Sequence, residues 1–164
     1  MDGSPIRQKT YAVNEEFQTI EADGVEISIY GALTNFGCSG NQLTALDVSK
    51  NVALTELLLN NNQLTALDVR KNVALTSLDC SENQLTALDV SKNIELTYLG
   101  CSGNQTITTL SVASAYGDAS VSTELATLIT DATSTTGTLK IYGGDNTAVH
   151  TAATTKGWTV NANL

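Results

Sequence analysis

The sequence predicts an α/β repeat solenoid: a right-handed coil carrying a parallel sheet, with capping strands before it and a helix-strand-helix-strand cap after it. Three observations carry this expectation. The octapeptide NQLTALDV starts at Asn41, Asn62 and Asn83, a period of 21 residues. Within each unit the apolar residues alternate over a short stretch, as on a strand with one buried face. Beyond Gly117 the repeat gives way to the 3.6-residue period of an amphipathic helix.

Extending the octapeptide backwards gives four units, opening at Leu33, Leu54, Leu75 and Leu96. The second reads LTELLLNNNQLTALDVRKNVA and the third LTSLDCSENQLTALDVSKNIE. The fourth keeps the period only if one residue near Thr106 is an insertion. Each unit reads LxxLxC/LxxNxL, the leucine-rich-repeat signature, followed by LTALDVSKN or a close variant. Positions 1, 4 and 6 form apolar columns, such as Phe36, Leu57, Leu78 and Leu99 at position 4. Leu43, Leu64 and Leu85 and the leucines and valines after them fill the return half of each turn. One unit cannot bury these side chains alone, whereas a stack can.

Three other columns run through the units. Cys38, Cys80 and Cys101 share position 6 with Leu59, so they read as small buried hydrophobes rather than redox or metal groups. Cys80 and Cys101 fall in adjacent coils, which leaves a disulfide between them open and the redox state of all three undecided. Asn41, Asn62, Asn83 and Asn104 sit where the chain turns off the strand, and their amides are expected to satisfy backbone groups of neighbouring coils. Asp47, Asp68 and Asp89 read as a solvated carboxylate ladder offset by Lys50, Lys71 and Lys92.

Both ends depart from the period. Residues 1–16 carry no pattern and read as a flexible arm or linker. Residues 17–32 are expected to be capping strands: Val25, Ile27 and Ile29 alternate with polar neighbours after the turn dipeptide Asp23-Gly24, and Phe17 and Ile20 start a hairpin with them. Residues 33–117 hold the four coils, and 118–164 the α/β cap. In that cap Val121, Leu125, Leu128, Ile129 and Ala132 share a helical face, with Ser120 or Ser122 as N-cap and Glu124 in the first turn. A strand over 138–142 follows. A second helix runs from an Asp145 N-cap to Lys156 and ends at Gly157, and a last strand covers 158–160.

The 164 residues suit one domain. With 8 Lys and Arg against 17 Asp and Glu, the net charge of −9 argues against nucleic acid and anionic lipid as partners. No apolar run approaches the roughly 18 residues of a spanning helix, so no membrane insertion is expected, and residues 1–14 lack the order of a signal peptide. Catalytic motifs are missing from the pattern: there is no Walker loop, HExxH, EF-hand loop or GxSxG. His150, the single histidine, falls in the predicted second helix, away from the cysteine column. The expectation is a protein without catalytic residues, metal or cofactor. A polysaccharide-acting enzyme would need paired carboxylates from Glu56, Asp79 and Glu82, and a regular strand surface offers no cleft to raise their pKa values.

The repeats of Leu33 to Asn104 and the ending AATTKGWTVN over Ala152 to Asn161 resemble leucine-rich-repeat proteins of gut Bacteroidetes, which carry runs similar to LTxLDCSxNQLTxLDVSKNxAL and endings similar to AxxKGWTVN. The resemblance spans roughly residues 17 to 162. It implies an extracellular or cell-surface protein used for adhesion or partner binding, often within a longer chain, and it carries over no catalytic residue.

Repeat arrays bind on outward strand positions, here 3 and 5 of each unit. The candidate partner-binding residues are Glu56, Leu58, Ser77, Asp79, Glu82 and Tyr98, with Leu58 and Tyr98 as anchors and the acids selecting a basic or hydroxyl-rich protein or glycan. The other expectation is a structural spacer that displays a neighbouring domain. The chain is expected to be a monomer or to self-associate weakly.

Overall fold

The computed structural model describes residues 9–13, 16–20, 26–28, 33–114, 116, 119–144 and 146–162. In chain order these form β1 (Lys9–Val13), β2 (Glu16–Ile20), β3 (Glu26–Ser28), β4 (Asn35–Gly37), β5 (Ala45–Asp47), β6 (Glu56–Leu58), β7 (Ser77–Asp79), β8 (Ala87–Asp89), β9 (Tyr98–Gly100), β10 (Thr109–Ala113), α1 (Ala119–Asp131), β11 (Thr138–Tyr142), α2 (Thr147–Lys156) and β12 (Thr159–Asn161). The result is an α/β repeat fold dominated by parallel sheets.

The period dictates the register. β4, β6, β7 and β9 pair in parallel with Asn35, Glu56, Ser77 and Tyr98 aligned, then Phe36, Leu57, Leu78 and Leu99, then Gly37, Leu58, Asp79 and Gly100. The middle row points inward and is buried, as are Cys38, Leu59, Cys80 and Cys101 one step on. All three thiols are free, and burial pushes that of Cys80 up to about 12 and that of Cys101 well above its ordinary value.

A second parallel ladder joins β8, expected from the sequence only as the return half of a turn, to β10, β11 and β12. β10 pairs β8 with Thr109 opposite Ala87, an offset one longer than the repeat, and buried Ile107 takes the place of Leu85 in its column. This brackets the insertion between Asn104 and Ile107. The ladder is interrupted at residues 66–68, which form no strand.

Buried asparagines connect the units. Asn83 donates from Nδ2 to the carbonyls of Leu59, Cys80 and Ser81 and accepts at Oδ1 from the Leu64 N–H at 3.0 Å. Asn62 and Asn104 repeat the pattern toward Leu43 and Leu85. A second column was not anticipated. Asn72 and Asn93 are fully buried and donate to carbonyls of the preceding unit, Val48 and Asn51 for one and Val69 and Asn72 for the other. Their Oδ1 atoms are buried without a hydrogen-bond partner.

At the N-terminal side the expected hairpin differs. β2 pairs antiparallel with β1, not with the 25–29 segment. β1, within the stretch read as an unpatterned arm, pairs antiparallel with β4, and β3 lies parallel to β5. Backbone pairing to the first repeat strand, which no side-chain period reports, orders Lys9–Val13. The Asp23-Gly24 turn and Gly117 lie outside the described residues.

The C-terminal segment follows its pattern more closely. Val121, Leu125, Leu128, Ile129 and Ala132 are buried as one face of α1 and its end. Ser120 and Ser122 lie inside that helix rather than at its N-cap, and Glu124 lies beyond its first turn. Asn146 caps α2, accepting from the Val149 N–H, in place of Asp145, which lies outside the described residues; Gly157 ends the helix with φ 86°. The last strand begins at Thr159 rather than Trp158. The Trp158 indole packs on Gly137, where an added Cβ would come within 2.5 Å of the ring.

Asn83→Ala would leave the Leu64 N–H without its partner, while the carbonyls of Leu59, Cys80 and Ser81 each keep one other donor, Asn62 Nδ2, Asn104 Nδ2 and the Asn61 N–H. At about 1–3 kcal/mol for a buried orphaned group, we expect a loss of about 1–3 kcal/mol, measured by urea unfolding of the whole chain.

Candidate binding surface

The outward rows of the first sheet place five of the six candidate residues directly. Glu56, Ser77 and Tyr98 align in one row, and Leu58 and Asp79 in the next. Glu82 lies on the turn, three residues beyond Asp79. Tyr98 is the prominent member, with 52% of its surface exposed. Leu58, expected as a second anchor, is only partly exposed.

The structure draws Asp79 of the third unit and Tyr98 of the fourth together over Gly100, and sets Glu82 over Gly103 on the turn beyond. The Asp79 carboxylate lies over Gly100, where a Cβ would meet Oδ1 at 2.7 Å and the Tyr98 hydroxyl at 3.2 Å. Glu82 lies over Gly103 in the same way, its carboxyl carbon 2.6 Å from where a Cβ would stand. Asp79 is held by the Ser81 N–H at 3.0 Å and the Ser81 hydroxyl at 2.6 Å. Its charge, then burial, then the charge of Glu124, raise the pKa of the Tyr98 hydroxyl. Glu56 stands apart, one strand before Ser77, its Oε2 accepting from Asn35 Nδ2 at 2.6 Å. The paired carboxylates needed for glycoside hydrolysis would thus have to come from Asp79 and Glu82 alone, on an open strand face.

Glu124 was not among the candidates. From α1 it reaches back to the edge strand, its Oε1 accepting from the N–H groups of Cys101 at 3.1 Å and Ser102 at 3.0 Å. In earlier units the corresponding Cys38, Leu59 and Cys80 N–H groups donate to the next strand's carbonyls. Glu124 therefore replaces the fifth strand that is not there. A lone glutamate in a helix gives no sequence signal for this.

Backbone conformation singles out Glu82. Position 8 of the unit is left-handed throughout: Gly40 at φ 70°, Asn61 at 57°, Glu82 at 51° and Gly103 at 75°. Glycine and asparagine tolerate this region, whereas glutamate does so at a cost on the order of 1 kcal/mol.

The carboxylate ladder on the other sheet is satisfied differently from expectation. Asp47 accepts from the Ser49 N–H, and Asp89 from the Ser91 N–H and hydroxyl. Asp68 pairs with Arg70 at 2.7 Å, which holds its carboxyl down at about 2. The residue two places on is the principal partner, and the lysines add only a weaker field. Beside this ladder, where strand pairing lapses at 66–68, an open groove of about 540 Å³ is lined by Ala45, Leu46, Ala66, Leu67, Ala87 and Leu88 with Asp68 and Asp89 at its rim. Among the described residues no group of His, Cys, Asp and Glu is arranged to hold a metal ion, and no helix is long and apolar enough to cross a membrane.

A scan against protein-family models and a search of curated proteins return no match. Among solved structures, the chain is similar to the functional domain of InlJ from Listeria monocytogenes, which includes a cysteine ladder, at 26% identity and a TM-score of 0.44. The match covers 83% of this chain and 32% of that one, so the chain spans about a third of its length.

Two measurements check this surface. Glu82→Asn relieves the left-handed strain and is expected to raise unfolding stability by about 0.5–1 kcal/mol in a denaturant titration. The buried thiols are expected to resist a disulfide reagent at pH 8 in the native protein, and all three to react once guanidinium unfolds it.

Proposed function

We propose that this chain is a non-catalytic binding module, a leucine-rich-repeat solenoid that presents the outward face of its first parallel sheet to a protein or glycan. The observation that carries the reading is the surface where the third and fourth units meet. Half-exposed Tyr98 stands beside the Asp79 carboxylate, and on the turn beyond the strand Glu82 keeps a backbone conformation that glycine or asparagine would adopt at lower cost. Such strain at an exposed polar residue is the kind retained at binding sites. An aromatic face bordered by acceptors suits a hydroxyl-rich or basic partner.

On this reading the N-terminal strands and residues 118–164 are the caps of the array, supported by the strand β1 laid on β4 and by Glu124 closing the β9 edge. The place of action is extracellular or on a cell surface, as the resemblance in the repeats implies, with the module serving adhesion. Small outward residues at Asn35, Gly37, Ser77 and Gly100 favour a second reading, a spacer that displays a neighbouring domain.

Binding of the purified protein to mucin, matrix proteins and a glycan panel separates the two, alongside the Leu58→Glu, Tyr98→Ala double variant and Glu82→Asn. Saturable binding weakened at least tenfold in the double variant, and weakened without loss of stability in Glu82→Asn, is the expected result. Binding to nothing on the panel, or binding indifferent to these changes, would favour the spacer.

A further inference from the structure

The same repeat builds a second exposed row on a different side of the molecule. Val52, Val73 and Ile94 recur at position 20 of successive units and are 59%, 53% and 53% exposed. Two residues before each stands an exposed lysine, Lys50, Lys71 or Lys92. With Arg70 these make four of the eight cationic side chains of an acidic protein. After each, the chain leads through Ala53, Ala74 or exposed Glu95 toward the threonines and Glu56 of the first sheet. Three β-branched side chains in register, each more than half exposed, form a continuous apolar line bordered by positive charge on one flank and by threonine and glutamate on the other.

We propose that this line is a self-association surface whose occupant is the same line on a second copy of the chain, laid parallel about a two-fold axis that runs along the row. Spacing selects the occupant. Units in a parallel stack repeat at about 4.8 Å, whereas a helix repeats every 5.4 Å or so and a strand shows one face about every 6.8 Å. A second copy carries the identical spacing whatever its local value. Charge selects the orientation. A two-fold axis along the row sets Lys50, Lys71 and Lys92 of one copy over the threonine and glutamate flank of the other, bringing Lys92 toward Glu95. An axis across the row would run the two lines antiparallel and stack the lysine flanks on each other, like charge on like. Three side chains cover far less than the roughly 800 Å² per partner of a stable interface, so the association is weak and concentration-dependent. The strand face of Tyr98 stays free in this arrangement, and the inference does not rest on the proposed function.

The test is sedimentation of the whole chain up to about millimolar concentration, with Val73→Asp and Val73→Thr beside the parent. Circular dichroism confirms that each variant is folded. Reversible dimerisation that Val73→Asp weakens at least tenfold, that Val73→Thr weakens less, and that Leu58→Glu, Tyr98→Ala leaves unchanged is the expected result. Val52→Cys, treated with a mild oxidant, then reports orientation. In the parallel pair the introduced thiol faces its counterpart on the second copy and the two oxidise to a covalent dimer, whereas in an antiparallel pair they lie beyond the roughly 7 Å reach of a disulfide. A monomer at every concentration, dimerisation indifferent to Val73→Asp, or dimers that cross-link only between Val52→Cys and Ile94→Cys chains would overturn the proposal.

Discussion

An asparagine side chain on the turn after each repeat strand bonds in two directions at once. Its Nδ2 donates to a carbonyl of its own unit and to one of the unit before, and its Oδ1 receives a backbone N–H from that earlier unit. Because the groups involved are buried, each bond satisfies a donor or acceptor that would otherwise cost free energy. The Asn62, Asn83 and Asn104 ladder therefore fixes how far one unit advances on the last. Everything downstream inherits that step: the row of Leu57, Leu78 and Leu99 inside, the row of Glu56, Ser77 and Tyr98 outside, and the exposed line of Val52, Val73 and Ile94.

A stack with a fixed step has two ends, and this chain closes them with different chemistry. At the N-terminal side a backbone strand is laid antiparallel on β4. At the other end a single carboxylate, Glu124, receives the Cys101 N–H that a further unit would have bonded, together with the N–H of Ser102, while the second sheet simply continues through β10, β11 and β12. The second closure places a negative charge near Asp79 and Tyr98 and contributes to the raised pKa of Tyr98. Ending the array and shaping its surface thus share a residue.

What the sequence made legible is what repeats. The period located the strands of the first sheet, the core columns, the insertion near Thr106 and the buried cysteines, because a buried column forces the same residue class into every unit. The helical face of α1 was legible for the same reason at a shorter period. Features with one copy were not. Glu124 acts through a contact 23 residues away, β1 is held by backbone pairing, and the strain at Glu82 shows only when position 8 is seen to be left-handed in all four units. Of the second ladder only the β11 and β12 strands were expected; β8 within the repeat was read as the return half of a turn, since three residues carry too few side chains to mark a two-residue period. Of the candidate surface, Tyr98 and Asp79 come together, whereas Glu82 lies over Gly103 on the turn beyond, Leu58 is partly covered and Glu56 is tied to Asn35, none of which follows from spacing alone.

Native-state hydrogen exchange of the Leu43, Leu64 and Leu85 amides, three buried amides that donate to the asparagine ladder, tests this account most directly. If the ladder sets the stack, these amides exchange only through global unfolding, with one common free energy equal to that from denaturant titration. Exchange of any of them at a markedly lower free energy, with the β6 and β7 amides still protected, would contradict it, because the units would then be held in register by something other than their asparagines.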